Sequence, residues 1–380
     1  MNIAIEAINI RDGGGLRHLN EILVNIDKKT LNNDKIFVWV NKSLKNSINF
    51  NSLNTEIIYI NSFSSNILIV FLSKILFFKS QLIKKKCDVL LVCSNYYFFS
   101  PIPTVLIMQN LLPIYSYKIS FFNFFFFFKN TLLAQLIKNS ILKSSGIIFL
   151  SYASKEIIFK KLKLKKNINY KVIYHGVSKK YFLYKNKYLK NIIIKDDYYK
   201  ILYVSKLDDY KNHLNLIKSI KLLVIQGLRI KLFLIGPYSI LRSFRILLSI
   251  KLNNYPIKFI YVKGEMNDSS IAKYYSSCDL HCFVSNSETF GIILAEGMSV
   301  GIPAVCNNSK VFKEICKDSA VYVNANNYIE LAKCIKNVIL DNELKKTLSK
   351  KARKFSKKFL WKSTSKDTFN YVKSFLPNKI

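Results

Sequence analysis

Apolar residues along the chain alternate between two patterns. Short continuous apolar runs, typical of buried strands, are followed by longer stretches in which apolar residues recur every three or four positions, as on one face of a helix. The runs predict strands near residues 3–5, 35–40, 56–60, 89–93, 105–108, 146–150, 201–204, 232–235, 257–264 and 280–284. Strands that alternate with helices in this way indicate an α/β protein built on parallel sheets.

The order of these elements indicates two units. At 380 residues, of which 50% are hydrophobic, the chain is long enough for two domains that each bury a core. We expect a first α/β unit over residues 1–177, a polar and basic linker at 178–200, a second unit over 201–358 and a final helical segment at 359–380. No internal repeat of short period is visible.

One motif in the second unit points to a binding site. Two carboxylates, Glu288 and Glu296, stand on either side of the turn Phe290-Gly291. The apolar stretch after the turn predicts a helix, and the unpaired N–H groups at its start, from Phe290 to Ile292, can bind a phosphate. A phosphate seat between two carboxylates that accept hydroxyl hydrogen bonds suits a nucleotide sugar.

The full pattern, S-x-x-E-x-F-G-x-x-x-x-E-x-M-x-x-G-x-P from Ser285, resembles the E-x7-E signature of the retaining glycosyltransferases of family 4, in their mannosyltransferase-like branch. The resemblance implies the GT-B fold, with two facing Rossmann-like domains and a C-terminal helix that crosses back to the first. An isolated E-x7-E more often marks two solvated glutamates on a βα unit. The identification therefore depends on four further matches in the same order along the chain.

Two of these matches are loops that follow a strand. Gly13, Gly14 and Gly15 resemble the glycine loop of the family's N-terminal domain, which meets the donor. Lys206 and Lys211 follow the first strand of the second unit, and the resemblance assigns them to the diphosphate leaving group. The family usually has arginine at the first of these positions, and lysine keeps the charge without the bidentate geometry. Two ordinary surface lysines are the alternative.

The other matches are strand ends. Gly236 and the run at 257–264 resemble the family's nucleotide-side strands, which end in glycine. Gln109 ends an apolar run at the place where many relatives have a histidine that touches the donor sugar. His175 lies in a turn that resembles the family's interdomain sequence I-P-N-G-V, and we expect it to be a turn residue and not a general base.

The resemblance implies an enzyme that moves a hexose, with retention of configuration, from a nucleotide diphosphate sugar to a glycan or lipid-linked acceptor. Such an enzyme needs no metal or other cofactor and serves bacterial cell-surface polysaccharide or lipopolysaccharide synthesis. Glu288 would hold sugar hydroxyls and the positive charge at the anomeric carbon, while Glu296 would accept from the ribose. Lys206, Lys211 and the amides of residues 290–292 would bind the diphosphate. The alternative function is a catalytically lapsed GT-B relative that acts as a membrane-bound partner protein.

The formal net charge of +36 raises nucleic acid as a partner, but the residue types argue against it. Of the 59 basic residues only 6 are arginine, the residue that most often reads bases, and no basic recognition helix is present. An anionic membrane surface fits better, because residues 121–128 are almost all phenylalanine and Lys118 and Lys129 flank them. We expect either membrane contact or core packing from these rings.

The cysteine pattern and the apolar segments bear on location. Seven cysteines without paired spacing predict reduced thiols, as in a cytoplasmic protein. Cys278, His281 and Cys282 alternate along a strand pattern and are not expected to bind a metal. Residues 1–10 predict a strand and not a leader, and no segment reaches the ~20 apolar residues of a spanning helix. We expect a cytoplasmic protein, at most peripheral at the inner face of the membrane.

Overall fold

The structure of the chain is a computed structural model. It describes residues 1–10, 13–31, 33–50, 54–60, 78–97, 100–114, 124–165, 167–189, 197–254 and 258–376, without the side chains of residues 124–129, 241 and 242. Two compact units divide the chain: unit 1 comprises Met1–Gly176 and Trp361–Ile380, and unit 2 comprises Val177–Leu360. The chain therefore passes from one unit to the other at two places.

Unit 1 contains a parallel sheet of seven strands, in the order β3-β2-β1-β4-β5-β6-β7. The strands are β1 (Asn2–Ala7), β2 (Lys35–Asn41), β3 (Thr55–Ile60), β4 (Val89–Val92), β5 (Thr104–Met108), β6 (Gly146–Phe149) and β7 (Tyr170–Val172). The first six confirm the apolar runs of the sequence, since β4, β5 and β6 are buried along their whole length. Strand β7 was not predicted, because three residues with a partly exposed pattern give no apolar run.

Unit 2 contains a parallel sheet of six strands, in the order β10-β9-β8-β11-β12-β13. The strands are β8 (Tyr199–Val204), β9 (Ile230–Ile235), β10 (Ile260–Val262), β11 (Leu280–Phe283), β12 (Ala304–Asn307) and β13 (Val321–Val323). In both sheets the first strand lies between its second and its fourth, so the strand order reverses at β1/β4 and at β8/β11. Ligands of such sheets bind beside this reversal, at the carboxyl ends of the strands.

Helices connect the strands, as the parallel topology requires. They are α1 (Gly13–Val24), α2 (Lys28–Leu31), α3 (Phe124–Lys143), α4 (Tyr152–Leu162), α5 (Lys179–Phe182), α6 (His213–Ile225), α7 (Ile240–Asn253), α8 (Asp268–Ser277), α9 (Ile292–Val300), α10 (Lys310–Cys316), α11 (Tyr328–Leu340), α12 (Asn342–Ser356) and α13 (Trp361–Lys373). Among the described residues, no helix combines the length and the apolar composition that crossing a bilayer requires.

The expected linker at 178–200 differs from the structure. Its described residues up to 189 pack within unit 2, where the side chain of Asn186 donates hydrogen bonds to the carbonyls of Tyr275 and Cys278. The ring of Tyr181 is fully buried in the same region. The stretch is rich in lysine, so its composition indicated a linker. Composition does not show that a few of its residues, such as Tyr181 and Asn186, are buried. Residues 190–196 lie outside the described residues.

The last helix, α13, belongs to unit 1, as expected. Its Ser365 hydroxyl donates to the carbonyl of Ile22 on α1, 343 positions earlier in the chain. Behind the helix, the ring of Phe375 lies so close to Gly146 that a Cβ there would come within 2.6 Å of it. Helix α13 and the residues just after it therefore pack in one unit with α1 and β6.

Candidate functional site

Three strand ends of unit 2 meet at Gly236. Its N–H donates to the carbonyl of Gly264 at 2.8 Å, and the N–H of Ser205 donates to Ile235 at 2.8 Å. Gly236 has φ 147°, and a Cβ there would lie 2.2 Å from the Ser205 carbonyl oxygen and 3.1 Å from the nitrogen of Lys206. Only glycine fits this place, and its fit lets the backbone that carries Lys206 close against β9. The side chain of Lys206 is partly exposed.

A short turn after β8 positions Lys211. The turn is a 3₁₀ helix over Asp209–Lys211, and Asn212 leaves it with a left-handed φ of 63°. The hydroxyl of the fully buried Tyr203 donates to the carbonyl of Lys211 at 2.7 Å, which ties the turn to β8. The side chain of Asn212 donates to the carbonyl of Ala325 at 2.8 Å. Two hydrogen bonds therefore fix the backbone at Lys211 and at the residue after it.

The ammonium group of Lys211 forms a hydrogen-bonded ion pair with the carboxylate of Glu288. Only 13% of the Lys211 side chain and 17% of the Glu288 side chain are exposed. Burial by itself would lower the pKa of Lys211, but the Glu288 carboxylate and Tyr210 outweigh it, so the pKa lies above its usual value. Lys211 is a cation at neutral pH, and the pair lies at the strand-order reversal β8/β11.

A set of amides holds the loop that carries Glu288. The N–H of Asn286 donates to the carbonyl of Tyr210 at 2.9 Å, which joins this loop to the Lys211 turn. The side chain of Asn307, at the end of β12, donates to Asn286 Oδ1 at 2.9 Å and to the carbonyl of Ser285 at 3.2 Å. Asn307 was not among the predicted site residues. Its position as the polar last residue of a buried strand is the signal that could have found it.

Helix α9 begins as the motif indicated. Gly291 precedes it with a left-handed φ of 87°, and the helix runs from Ile292. The ring of Phe290 is fully buried and packs edge-on against Phe359 at a centroid distance of 5.2 Å. A donor contact at Phe290 would therefore involve its backbone amide, as the anion-site argument requires.

Glu296 lies on the second turn of α9 and has no exposed surface. The two glutamates of the motif thus differ in exposure, since Glu288 is partly exposed and Glu296 is fully buried. A contact between Glu296 and the ribose stays a prediction.

The three glycines predicted as a loop in unit 1 belong to a helix, and the last of them lies next to Gln109. Gly13, Gly14 and Gly15 are the first residues of α1, and a Cβ on Gly15 would lie 3.2 Å from Gln109 Oε1. The side chain of Asn95 accepts from the N–H of Gln109 at 2.7 Å and so fixes the turn after β5. The sequence analysis had not identified Asn95, because it belongs to no motif. Its position after the end of β4 is what brings it to Gln109.

Two buried histidines of unit 1 form a pair. Nδ1 of His18 on α1 and Nδ1 of His175 are 3.0 Å apart, and the ring of Trp361 packs on both at centroid distances of 5.7 and 5.5 Å. Burial lowers the pKa of His18 to about 4. Burial, followed by His18 and Arg17, places the pKa of His175 well below its usual value. His175 is therefore a neutral, packed turn residue at physiological pH, and sequence reasoning missed His18.

A carboxylate lies at the strand-order reversal of unit 1. Glu6, on β1, is 8% exposed and accepts from the Ser94 hydroxyl at 2.6 Å and from the N–H of Ile8 at 3.1 Å. These bonds link the ends of β1 and β4. The sequence analysis had not identified Glu6 or Ser94 as site residues, because one acidic residue in an apolar strand forms no recognisable motif.

The Cys278, His281 and Cys282 group is buried in unit 2. Burial lowers the pKa of His281 to about 3 and raises that of Cys278 to about 12. In the described ranges, no three or more His, Cys, Asp or Glu side chains are placed to hold a metal ion. All seven cysteines are described, and none forms a disulfide.

Comparison with known proteins agrees with this geometry. Residues 184–355, which include Lys206, Lys211, Glu288 and Glu296, match the family Glycosyl transferases group 1. The N-acetylgalactosamine-N,N'-diacetylbacillosaminyl-diphospho-undecaprenol 4-alpha-N-acetylgalactosaminyltransferase of Campylobacter jejuni is 28% identical over 189 residues, which are 49% of this chain and 49% of that protein. The matched part spans a third to a half of the length of the first curated relatives.

Solved structures match over nearly the whole chain. Sucrose-phosphate synthase from Thermosynechococcus elongatus superposes with a TM-score of 0.77 at 16% identity, covering 98% of each chain. The Anabaena protein HepE in complex with UDP-glucose superposes with a TM-score of 0.73 at 18% identity, covering 99% of this chain and 100% of that one. The chain thus has the GT-B fold, and residues 184–355, with most of unit 2, match the group 1 glycosyltransferases in sequence.

Proposed function

We propose that this protein is a retaining hexosyltransferase of the family 4 type that uses a nucleotide diphosphate sugar as donor. The observation that carries the proposal is the ion pair of Lys211 and Glu288 at the strand-order reversal of unit 2. A cation for the leaving diphosphate and a carboxylate for the sugar are in contact there, inside a segment that matches the group 1 glycosyltransferases.

Each group has a role in the reaction. Lys211, Lys206 and the amides of residues 290–292 bind the diphosphate and stabilise its charge as the bond to the anomeric carbon breaks. Glu288 holds sugar hydroxyls and stabilises the positive charge at that carbon. The acceptor hydroxyl attacks on the face that the diphosphate leaves, and a phosphate oxygen of the departing diphosphate takes the hydroxyl proton. The nucleoside diphosphate leaves with that proton, and configuration is retained.

The donor site extends beyond this pair. Gly236 lets the strand ends close behind the phosphates, and Glu296 accepts from the ribose. Gly15 and Gln109 are adjacent within unit 1, and the family resemblance assigns them sugar-side contacts, which stay a prediction. A nucleotide diphosphate sugar as donor is consistent with the UDP-glucose complex of HepE, which has the same fold.

The acceptor we propose is a glycan or a lipid-linked sugar of cell-surface polysaccharide or lipopolysaccharide synthesis. The name of the Campylobacter relative contains a diphospho-undecaprenol acceptor, and this supports a lipid-linked one. A basic N-terminal half would keep the protein at an anionic membrane. Of the phenylalanine-rich stretch, residues 115–123 and the side chains of 124–129 lie outside the described residues, so its membrane contact stays a prediction.

The alternative is a lapsed GT-B relative that acts as a membrane-bound partner protein. The replacement of the usual histidine by Gln109 favours it, whereas the intact Lys211 and Glu288 pair opposes it. The two functions differ in donor binding, since a lapsed relative binds no nucleotide sugar.

A thermal-shift screen of UDP and GDP sugars, with the Glu288→Gln variant beside the wild type, tests the proposal. A ligand at 100 times its Kd stabilises the folded protein by about 2.7 kcal/mol, which is readily measured. The stabilising donor is then incubated with glycan and polyprenyl-linked acceptors, and the anomeric configuration of the product is determined by NMR. Absence of binding for every nucleotide sugar would support the lapsed relative.

A further inference from the structure

Helix α7 of unit 2 exposes a continuous apolar stripe. Ile240, Phe244, Leu248 and Leu252 are 73%, 59%, 44% and 64% exposed in the whole chain. They follow one another at intervals of four residues, so their side chains form a single row along one side of the helix. Scattered apolar side chains are normal on a protein surface, but a row of four along a helix is not.

The row is not needed for the packing of the helix. Ile246 is fully buried and Ile250 is 8% exposed, and at 100° per residue both point away from the row. The hydroxyl of Ser243, on the same buried side, donates to the carbonyl of Leu207 at 2.7 Å. An ordinary surface helix has one apolar face, whereas α7 has a second one directed to solvent.

Cations border the row on both sides. Arg245 lies at one edge with its side chain 75% exposed, and Lys251 lies at the other edge and is exposed. Lys258, just beyond the helix, is exposed as well. The sequence of the helix, ILRSFRILLSIKLN, contains no acidic residue. Asp209 lies near the row, and its carboxylate is 4.0 Å from the Arg245 guanidinium.

We propose that this face of α7 docks on an anionic membrane surface. Apolar side chains flanked by Lys and Arg on an exposed helix are the composition of interfacial helices, with the row in the acyl boundary and the cations at the headgroups. The charge argues against a second copy of the chain, because two partners of formal charge +36 would bring the same cations together. A stable protein interface also buries about 800 Å² per partner, more than four side chains supply.

Helix α7 begins close to the proposed diphosphate site, so its docking would also position that site. Ser243 fixes the start of the helix to Leu207, the residue after Lys206, so the row starts beside the segment proposed to bind the diphosphate. Docking would hold that segment at the lipid surface. The docking itself does not depend on transfer activity, and it concerns a different unit from the phenylalanine-rich stretch.

Vesicle co-sedimentation tests the proposal with the full chain. Wild-type protein is expected to bind vesicles of phosphatidylcholine with phosphatidylglycerol and to lose binding on pure phosphatidylcholine or at high salt. The variant Phe244→Ser/Leu248→Ser should bind the anionic vesicles about a hundredfold more weakly, since each of the two apolar side chains that leave the membrane costs about a factor of ten. The control, Ile329→Ser/Leu340→Ser, removes two side chains of similar exposure (57% and 51%) from α11 and should bind as the wild type does.

A second variant changes the charges and leaves the apolar row intact, so the test does not depend on whether the serine variant folds. Arg245→Glu/Lys251→Glu is expected to weaken binding to anionic vesicles and leave the circular dichroism unchanged. Undiminished binding of both α7 variants would overturn the proposal. It would also be overturned if Phe124→Ser/Phe125→Ser alone abolished binding, or if light scattering showed a wild-type dimer that Phe244→Ser/Leu248→Ser dissociates while neither binds vesicles.

Discussion

The ammonium group of Lys211 and the carboxylate of Glu288 neutralise each other at the carboxyl edge of the second sheet. In the proposed reaction Lys211 stabilises the negative charge of the diphosphate, and Glu288 stabilises the positive charge on the sugar. A diphosphate that approaches Lys211 therefore competes with Glu288 for its protons. Donor binding would loosen the pair and leave Glu288 beside the sugar.

Replacing Glu288 by Gln should abolish transfer while the fold and donor binding persist. The amide keeps a hydrogen-bond acceptor for Lys211 but lacks the negative charge that the anomeric carbon requires. Because the competition for Lys211 is removed, the affinity for free nucleoside diphosphate should be equal to or higher than that of the wild type. Single-turnover kinetics and calorimetry measure the two effects separately. Wild-type turnover of the variant would exclude the proposed role.

Replacing Lys211 by Ala should weaken the free nucleoside diphosphate and the donor alike, by about tenfold to a hundredfold. That range corresponds to the roughly 1.5–3 kcal/mol of a hydrogen bond to a charged group. The nucleoside without phosphates should bind as before. Lys218→Ala, an exposed lysine on α6, is the matched control and should change neither affinity. Equal losses for nucleoside and diphosphate would place Lys211 outside the phosphate site.

Gly236→Ala should destabilise unit 2 more than Gly227→Ala does. Both glycines have positive φ, 147° and 88°, but a Cβ at Gly227 meets nothing within 4 Å, whereas at Gly236 it would collide with the Ser205 carbonyl. We expect a loss of about 1–2 kcal/mol at Gly227 from its left-handed backbone, and a larger one at Gly236. Urea unfolding followed by circular dichroism compares them. Equal losses would mean that the strand ends can separate without cost.

Unit 1 should lose stability as the pH falls below about 6.5, the ordinary pKa of histidine. His18 and His175 have lowered pKa values when folded, so below that pH the unfolded chain binds more protons and the free energy of unfolding decreases. Between its unfolded and folded pKa values, each such histidine lowers the free energy of unfolding by about 1.4 kcal/mol for each pH unit by which the pH falls. Above about pH 7.5 this contribution is constant.

Tryptophan fluorescence measures this effect in unit 1, since both tryptophans, Trp39 and Trp361, belong to it. Urea midpoints at pH 7.5 and 5.5 should differ less for His18→Gln than for the wild type, because the variant has one titrating group fewer and still hydrogen-bonds His175. The same difference in both proteins would show that the pair does not govern the acid sensitivity.

The sequence predicted most of the strands that are continuous apolar runs and the start of α9 at a glycine turn, because both depend on local residues, but it did not predict the short strands β12 and β13. It predicted that Lys211 and Glu288 each follow a strand of the second unit, but neither that these strands are neighbours nor that the two side chains pair. Pairing depends on the Asn286 bond to the Lys211 turn, a contact between segments 76 positions apart. The pairing of His18 with His175 was not predicted for the same reason, since the two residues are 157 positions apart.

The division of the chain has a consequence for synthesis. Unit 2 is one continuous stretch, Val177–Leu360, whereas unit 1 needs Trp361 and the helix it begins, which are translated after unit 2. Domains ordinarily fold as they emerge from the ribosome, beginning with the N-terminal one. Here unit 1 cannot complete its core until unit 2 has been translated, and the surface of α1 that accepts Ser365 stays uncovered until then.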